Sequence, residues 1–258
     1  MKKLALLTLL LLVLVGTAVA QEDTQTLTVF AASSLTDAFT EIGAAFTEAH
    51  PQVEIVYNFG GSSALASQLV EGGAPADVFA SANAKQMDVV IAGERIDAEP
   101  VTFARNRLVL IVPSDNPAGI ELLDDLANEG IKLVVAAPDV PVRTYTDTML
   151  DKLAADSAYG EAYREAVLAN IVSEEDNVRQ VAAKVALGEA DAGIVYASDV
   201  TPDISEAVIA LPIPDEVNTP ASYPIAIVSD SANPELAQAF VDFVLTEEGQ
   251  AILVKWGF

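Results

Sequence analysis

Two serine doublets carry the residue types and spacing best suited to chemistry. They are Ser33-Ser34 in FAASSLTDAF and Ser62-Ser63 in FGGSSALASQL. Each follows a β-like run and opens a helix-like run. The first N–H groups of a helix have no intrahelical partner and sit at the positive end of its dipole. With hydroxyls beside them, such ends hold anions. Two in one chain describe a cleft that grips an oxyanion from two sides. The plainer reading is that each serine caps its own helix. Ser34 followed by Asp37 has the approximate form of a capping box. Gly60-Gly61 ahead of the second doublet would let a ligand approach the backbone closely.

Other chemistry has little to build on. The chain has one histidine, His50, at a helix end beside Pro51, and no cysteine. The usual catalytic triads and zinc sites need more than that. No S-x-x-K, Walker or GxGxxG motif occurs. The acidic groups Asp124-Asp125 and Glu174-Glu175-Asp176 read as solvated faces or caps rather than a metal site. The expectation is a chain with no catalytic residues, no coordinated metal cation and no cofactor. Its net charge of -25 disfavours nucleic acid and anionic membranes as partners. An anion ligand remains compatible, because salt screens distant charge beyond ~8 Å and leaves local donors to decide.

Periodicity supplies the framework around these residues. Residues 1–20 read as a signal peptide: Lys2 and Lys3, an apolar stretch, then Ala18-Val19-Ala20 as the cleavage site. Without a cysteine there, no lipid anchor is expected, and the product is placed in the periplasm or otherwise outside the cytoplasm. A strand over 27–32 precedes a helix whose apolar face is Leu35, Phe39, Ile42 and Phe46. Strands over 53–58 and 77–81 alternate with helices through Leu65 and Leu69 and through Met87. This βαβαβ opening predicts a parallel, doubly wound sheet with ligands at the carboxyl ends of its strands.

The pattern restarts near 103–107. Strands are expected over 108–112, 133–137 and 192–196, with helices over 122–126, 144–153, 161–168 and 178–187. A strand over 223–228 and helices over 234–245 and 247–256 close the chain. The expected fold class is α/β: two doubly wound lobes joined by a hinge of two crossings. Lobe I takes 21–104 and 224–258, and lobe II takes 105–223.

Two further blocks sit at strand–helix junctions. The run from 173 to 199 places Val178 at a helix start and Tyr196 at a strand end. APDVPVRTYTD, at 137–147, places Val142 and Tyr145 near another helix start. Together, FAASSL, FGGSSALASQL, GAPADVFASA, VPVRTY, EDNVRQV, GIVYASD and YPIAIV resemble the periplasmic molybdate-binding proteins of ABC importers, in order and over nearly the whole chain after residue 20. The resemblance implies the type II binding-protein fold. It implies ligand contacts from Ser34 and Ser62 on one lobe, and from the Val142 and Val178 N–H groups and the Tyr196 hydroxyl on the other. Ser33, Ser63 and Tyr145 become lining or supporting residues. One departure stands out: where the family has glycine in its VPxGxY block, this chain has Arg143. That puts a side chain where the backbone was bare, and either changes the loop or adds positive charge at the cleft rim.

The implied function is capture of molybdate or tungstate by a monomer that delivers it to the membrane permease of an ABC transporter. Another oxyanion such as sulfate is the alternative. Ferric capture would want clustered tyrosines, and the six here are dispersed. A secreted serine hydrolase using Ser34 or Ser62 would need an activating base that the sequence does not offer. A signalling or adhesion module whose cleft binds nothing small is a third rival.

Overall fold

The computed structural model describes residues 24–258. The signal peptide expected at 1–20 lies outside them. The strands, in chain order, are β1 (Gln25–Ala32), β2 (Val53–Gly60), β3 (Val78–Ala80), β4 (Val101–Asn106), β5 (Leu108–Pro113), β6 (Leu133–Ala136), β7 (Ile171–Glu175), β8 (Ala192–Tyr196), β9 (Val208–Pro212) and β10 (Ala221–Ile227). The helices are α1 (Thr36–Ala49), α2 (Ser62–Val70), α3 (Ala84–Ala92), α4 (Pro141–Ala155), α5 (Gly160–Ala169), α6 (Val178–Ala186), α7 (Pro234–Val244) and α8 (Glu247–Lys255).

These strands form two sheets with one shared plan, β2-β1-β3-β10-β4 and β7-β6-β8-β5-β9. In each, three neighbours are parallel: β2, β1 and β3 in the first, β7, β6 and β8 in the second. The fourth strand reverses. β10 is antiparallel to β3 and β4, and β5 to β8 and β9. The sheets are therefore mixed rather than wholly parallel. The reversal falls on the strands next to the crossings, where the chain enters a sheet from the other lobe instead of through a crossover helix.

The chain leaves the first sheet at Asn106, enters the second at Leu108, and returns between Pro212 and Ala221. The boundaries expected at 104/105 and 223/224 thus fall inside β4 and β10. Asn218 ties the crossings together: its Nδ2 donates to the Leu108 carbonyl at 2.8 Å and its Oδ1 accepts from the Leu108 N–H at 3.1 Å.

Packing follows the periodicity. Phe39, Ile42 and Phe46 of α1 are fully buried. The rings of Phe39 and Phe46 lie 6.0 and 5.5 Å from Phe240 of α7, which brings the C-terminal helices back onto the first lobe. The carboxyl ends of β1, β2, β6, β7 and β8 all lead into the segments that bear the candidate residues. Among the described residues, no helix is long and apolar enough to cross a membrane, and no cluster of His, Cys, Asp or Glu could hold a metal ion.

Candidate functional site

Between the lobes lies a small cavity, with about 10 Å³ open to the centre of a water-sized sphere. That is small against the 300–1,000 Å³ typical of organic-ligand pockets and suits one small polyatomic ion. Its wall contains Ser33, Ser34, Gly60, Gly61, Ser62 and Ala82 from the first lobe. Val140, Pro141, Val142, Val178 and Tyr196 face them from the second. None of these lining residues carries a formal charge, so what the wall offers is neutral hydrogen-bond donors.

Neither serine doublet caps its helix. A single 3₁₀ turn, Ser33–Leu35, carries the chain from β1 into α1, so the helix N-cap falls on Leu35 without a side-chain bond. The expected capping box of Ser34 and Asp37 does not form; Asp37 turns to Arg179 instead. On α2 the N-cap is Gly61, which makes Ser62 the first helical residue.

The serine hydroxyls are thereby released for other partners. Ser62 Oγ accepts the Ala82 N–H at 3.1 Å. A backbone N–H can only donate, so the Ser62 proton is left for the cavity. Ser34 Oγ lies 3.0 Å from the buried Tyr223 hydroxyl. With Tyr223 donating, the Ser34 proton is likewise unspent. Tyr196 is 1% exposed and its hydroxyl, beside Tyr223, has no aligned hydrogen-bond partner among the described residues. An unpaired buried phenol is costly, which marks it as a donor that waits for an acceptor. Burial first, then the neighbouring Tyr223, Tyr145 and Asp199, push the Tyr196 pKa well above its ordinary value, so this hydroxyl stays protonated.

Backbone donors complete the wall. Val178 is the first residue of α6, whose N-cap Asn177 spends its side chain on the Gln180 N–H. At α4, Pro141 has no N–H and Arg143 donates to the Val140 carbonyl at 3.0 Å, which leaves Val142 as the leading N–H at the wall.

The structure thus brings together Ser33, Ser34, Ser62, Val142, Val178 and Tyr196. It does not place Ser63, Arg143 or Tyr145 on the cavity wall. Ser63 is the next residue along α2. Arg143 points away from the cleft, pairing with Asp147 at 2.8 Å and Glu174 at 2.6 Å and donating to the Ala136 carbonyl. Burial works against its charge, but these carboxylates outweigh it and hold its pKa above the usual value. The rim charge expected of Arg143 is therefore spent within the second lobe. Tyr145 sits behind Tyr196, ring centroids 6.3 Å apart, and accepts the Ser222 N–H from the first sheet. His50 closes α1, stacked on Phe46 away from the cleft.

Contacts between the lobes also shape the site. Gly61 has φ -62° and ψ 131°, an ordinary extended conformation. A Cβ there would collide with the Asp176 carbonyl of the second lobe. The glycine lets the two lobes approach at the cavity wall. At the cleft mouth, Gln86 Nε2 donates to the Asp139 carbonyl at 3.0 Å, with Lys85 3.7 Å from the Asp139 carboxylate.

Comparison with known proteins bears on what such a cleft is for. Residues 27–258 match the family described as bacterial extracellular solute-binding protein. The chain belongs to that family. Molybdate-binding protein ModA of Mycobacterium tuberculosis is 38% identical over 92% of this chain and 85% of its own length. Among solved structures, the periplasmic molybdate-binding protein of Azotobacter vinelandii superposes with a TM-score of 0.75 at 19% identity, covering 90% of this chain and 97% of that one. The sulfate-binding protein SubI of M. tuberculosis gives 0.79 at 19% identity, covering 91% and 86%. At such identities the structural likeness concerns the fold alone. This solute-binding protein therefore has the two-lobe α/β architecture expected from its sequence, with its cavity at the lobe interface.

Proposed function

We propose that the chain captures molybdate or tungstate in the interlobe cavity and delivers it to the membrane permease of an ABC transporter. It would act outside the cytoplasm, as a monomer and without catalysing a reaction. The observation that carries this reading is a small, uncharged cavity whose wall offers the Ser34, Ser62 and Tyr196 hydroxyls beside the Val142 and Val178 N–H groups. The 38% identity to a protein named for molybdate binding supports the choice of oxyanion.

A buried dianion is costly unless hydrogen-bonded. Each hydrogen bond to a charged group contributes about 1.5–3 kcal/mol, and helix N-termini add ~1 kcal/mol when partly buried. Donors already aimed at the cavity give up little ordering entropy on binding. Because they are neutral, reopening the cleft leaves no ion pair to break. The wall also carries no carboxylate to take the proton of a protonated oxyanion, which disfavours phosphate near neutral pH. Sulfate meets the same donors and is discriminated by size.

Calorimetric titration of anion-stripped protein with molybdate, tungstate, sulfate and phosphate tests the reading. Binding of both metalates, with sulfate and phosphate much weaker, is expected. Absence of heat and of thermal shift with molybdate and tungstate overturns it, and equal affinity for sulfate overturns the specificity.

A further inference from the structure

Arg179 is the second residue of α6, at the positive end of the helix dipole, where a cation is disfavoured. Its position needs another reason, and its partners supply one. Nε lies 2.8 Å from Asp199 Oδ1, in the turn that follows β8 in the same lobe. Nη2 lies 2.7 Å from Asp37 Oδ2, on α1 of the opposite lobe. The same Nη2 reaches the Ser34 carbonyl at 3.4 Å. Asp199 is completely buried, whereas Arg179 and Asp37 keep 25% and 30% of their side chains exposed. The guanidinium is therefore anchored in one lobe and reaches the other at the turn that carries Ser34.

We propose that Arg179 is a latch between the lobes: a side chain rooted on Asp199 that grips Asp37 and the Ser34 turn only when the cleft is shut. Its hold on the lobes stands on geometry alone; its effect on a bound anion rests on the function proposed above. Both carboxylate contacts are close, and only the one to Asp37 crosses between the lobes. A charge pair that exists only in the shut form adds its attraction to that form alone. The latch thus lengthens the closed state from outside the cavity, meeting its wall only at the Ser34 carbonyl. Loss of a charge pair that stabilises only the closed form acts on dissociation far more than on association.

Asp37→Asn is the decisive variant, because it leaves the buried Arg179–Asp199 pair intact. Two measurements are made: stopped-flow kinetics with molybdate, and the distance between fluorophores placed one on each lobe of anion-free protein. The expected result is dissociation faster by about tenfold, association within about twofold, and a longer mean interlobe distance. Asp37→Glu, which keeps the charge, should recover most of both effects. An unchanged interlobe distance in Asp37→Asn overturns the latch, whatever the anion does. An unchanged dissociation rate overturns its role in retaining the ligand. If the unaltered protein does not bind molybdate, the oxyanion reading fails while the distance measurement still judges the latch.

Discussion

Gly61 and Asp176 meet across the cleft with no room for a side chain between them: a Cβ on Gly61 would fall well inside 3.0 Å of the Asp176 carbonyl oxygen. The backbone conformation of Gly61 is one that alanine adopts without strain. Gly61→Ala should therefore leave the anion-free protein folded, with a melting temperature equal to or above that of the unaltered chain. Closing the lobes then costs about 1–3 kcal/mol of overpacking, or roughly 5- to 150-fold in affinity. Paired thermal and calorimetric measurements check both halves; unchanged affinity would show that the lobes bind without coming this close.

Tyr196→Phe should move stability and affinity in opposite directions. The variant removes a hydroxyl that lacks an aligned partner when the cleft is shut, so the closed anion-free form should gain up to about 1 kcal/mol, a rise of at most ~2–4 °C in Tm. The same change deletes a donor to the anion and should weaken molybdate binding by about 1.5–3 kcal/mol, roughly 10- to 150-fold. A fall in both quantities would assign Tyr196 to the fold instead.

A backbone donor can be deleted at α6 with little harm to the helix. Val178 is its first residue, the position at which proline is best tolerated, and Asn177 before it is already extended at φ -159° and ψ 165°. Val178→Pro should keep the helical circular dichroism while lowering affinity by about tenfold or more. Unaltered binding in a folded variant removes this N–H from the site.

Asp199 makes a pH prediction. Burial raises its carboxyl to about 6 from an ordinary 3.8, against the lowering effects of Arg179 and the Tyr196 N–H; Asp37 adds to the rise. The groups facing it are Arg179, Asp37, Tyr196 and Tyr223. The folded state then binds this proton more tightly than the unfolded chain does. Its contribution is fully present below about pH 4 and is lost as pH rises through about 6, a loss on the order of 3 kcal/mol. Denaturation of the protein and of Asp199→Asn across pH 4–7 isolates the effect. The unaltered protein should gain on the variant as pH falls, and parallel profiles would contradict the assignment.

Much of this was legible in the sequence, and unevenly so. Strong apolar runs marked β1, β5, β6, β8 and the face of α1, because central strands and core-facing helices bury most of what they carry. The unforeseen strands β4, β7 and β9 are all sheet edges, paired on one side only. Their half-exposed patterns blur the signal, and β7 hides behind an acidic run whose charges are taken up by Arg143 and Lys184. At the site, Ser34, Ser62 and Tyr196 were visible as residue types. Val142 and Val178 are legible only as helix starts, and family resemblance alone assigns them ligand contacts, since a backbone donor leaves no letter of its own. Arg179 and Tyr223 were missed as part of the site because their partners are remote in sequence and obey no period.

The donors proposed at Val142 and Val178 are peptide groups, indifferent to which side chain hangs from them. Nearly any residue but proline can stand at either position without erasing the donor. Proline aside, substitutions that erase a contact outright are confined to the hydroxyl bearers. Mutational scanning of this cleft will therefore undercount its grip, scoring as permissive two positions whose contribution is written in the curve of the chain.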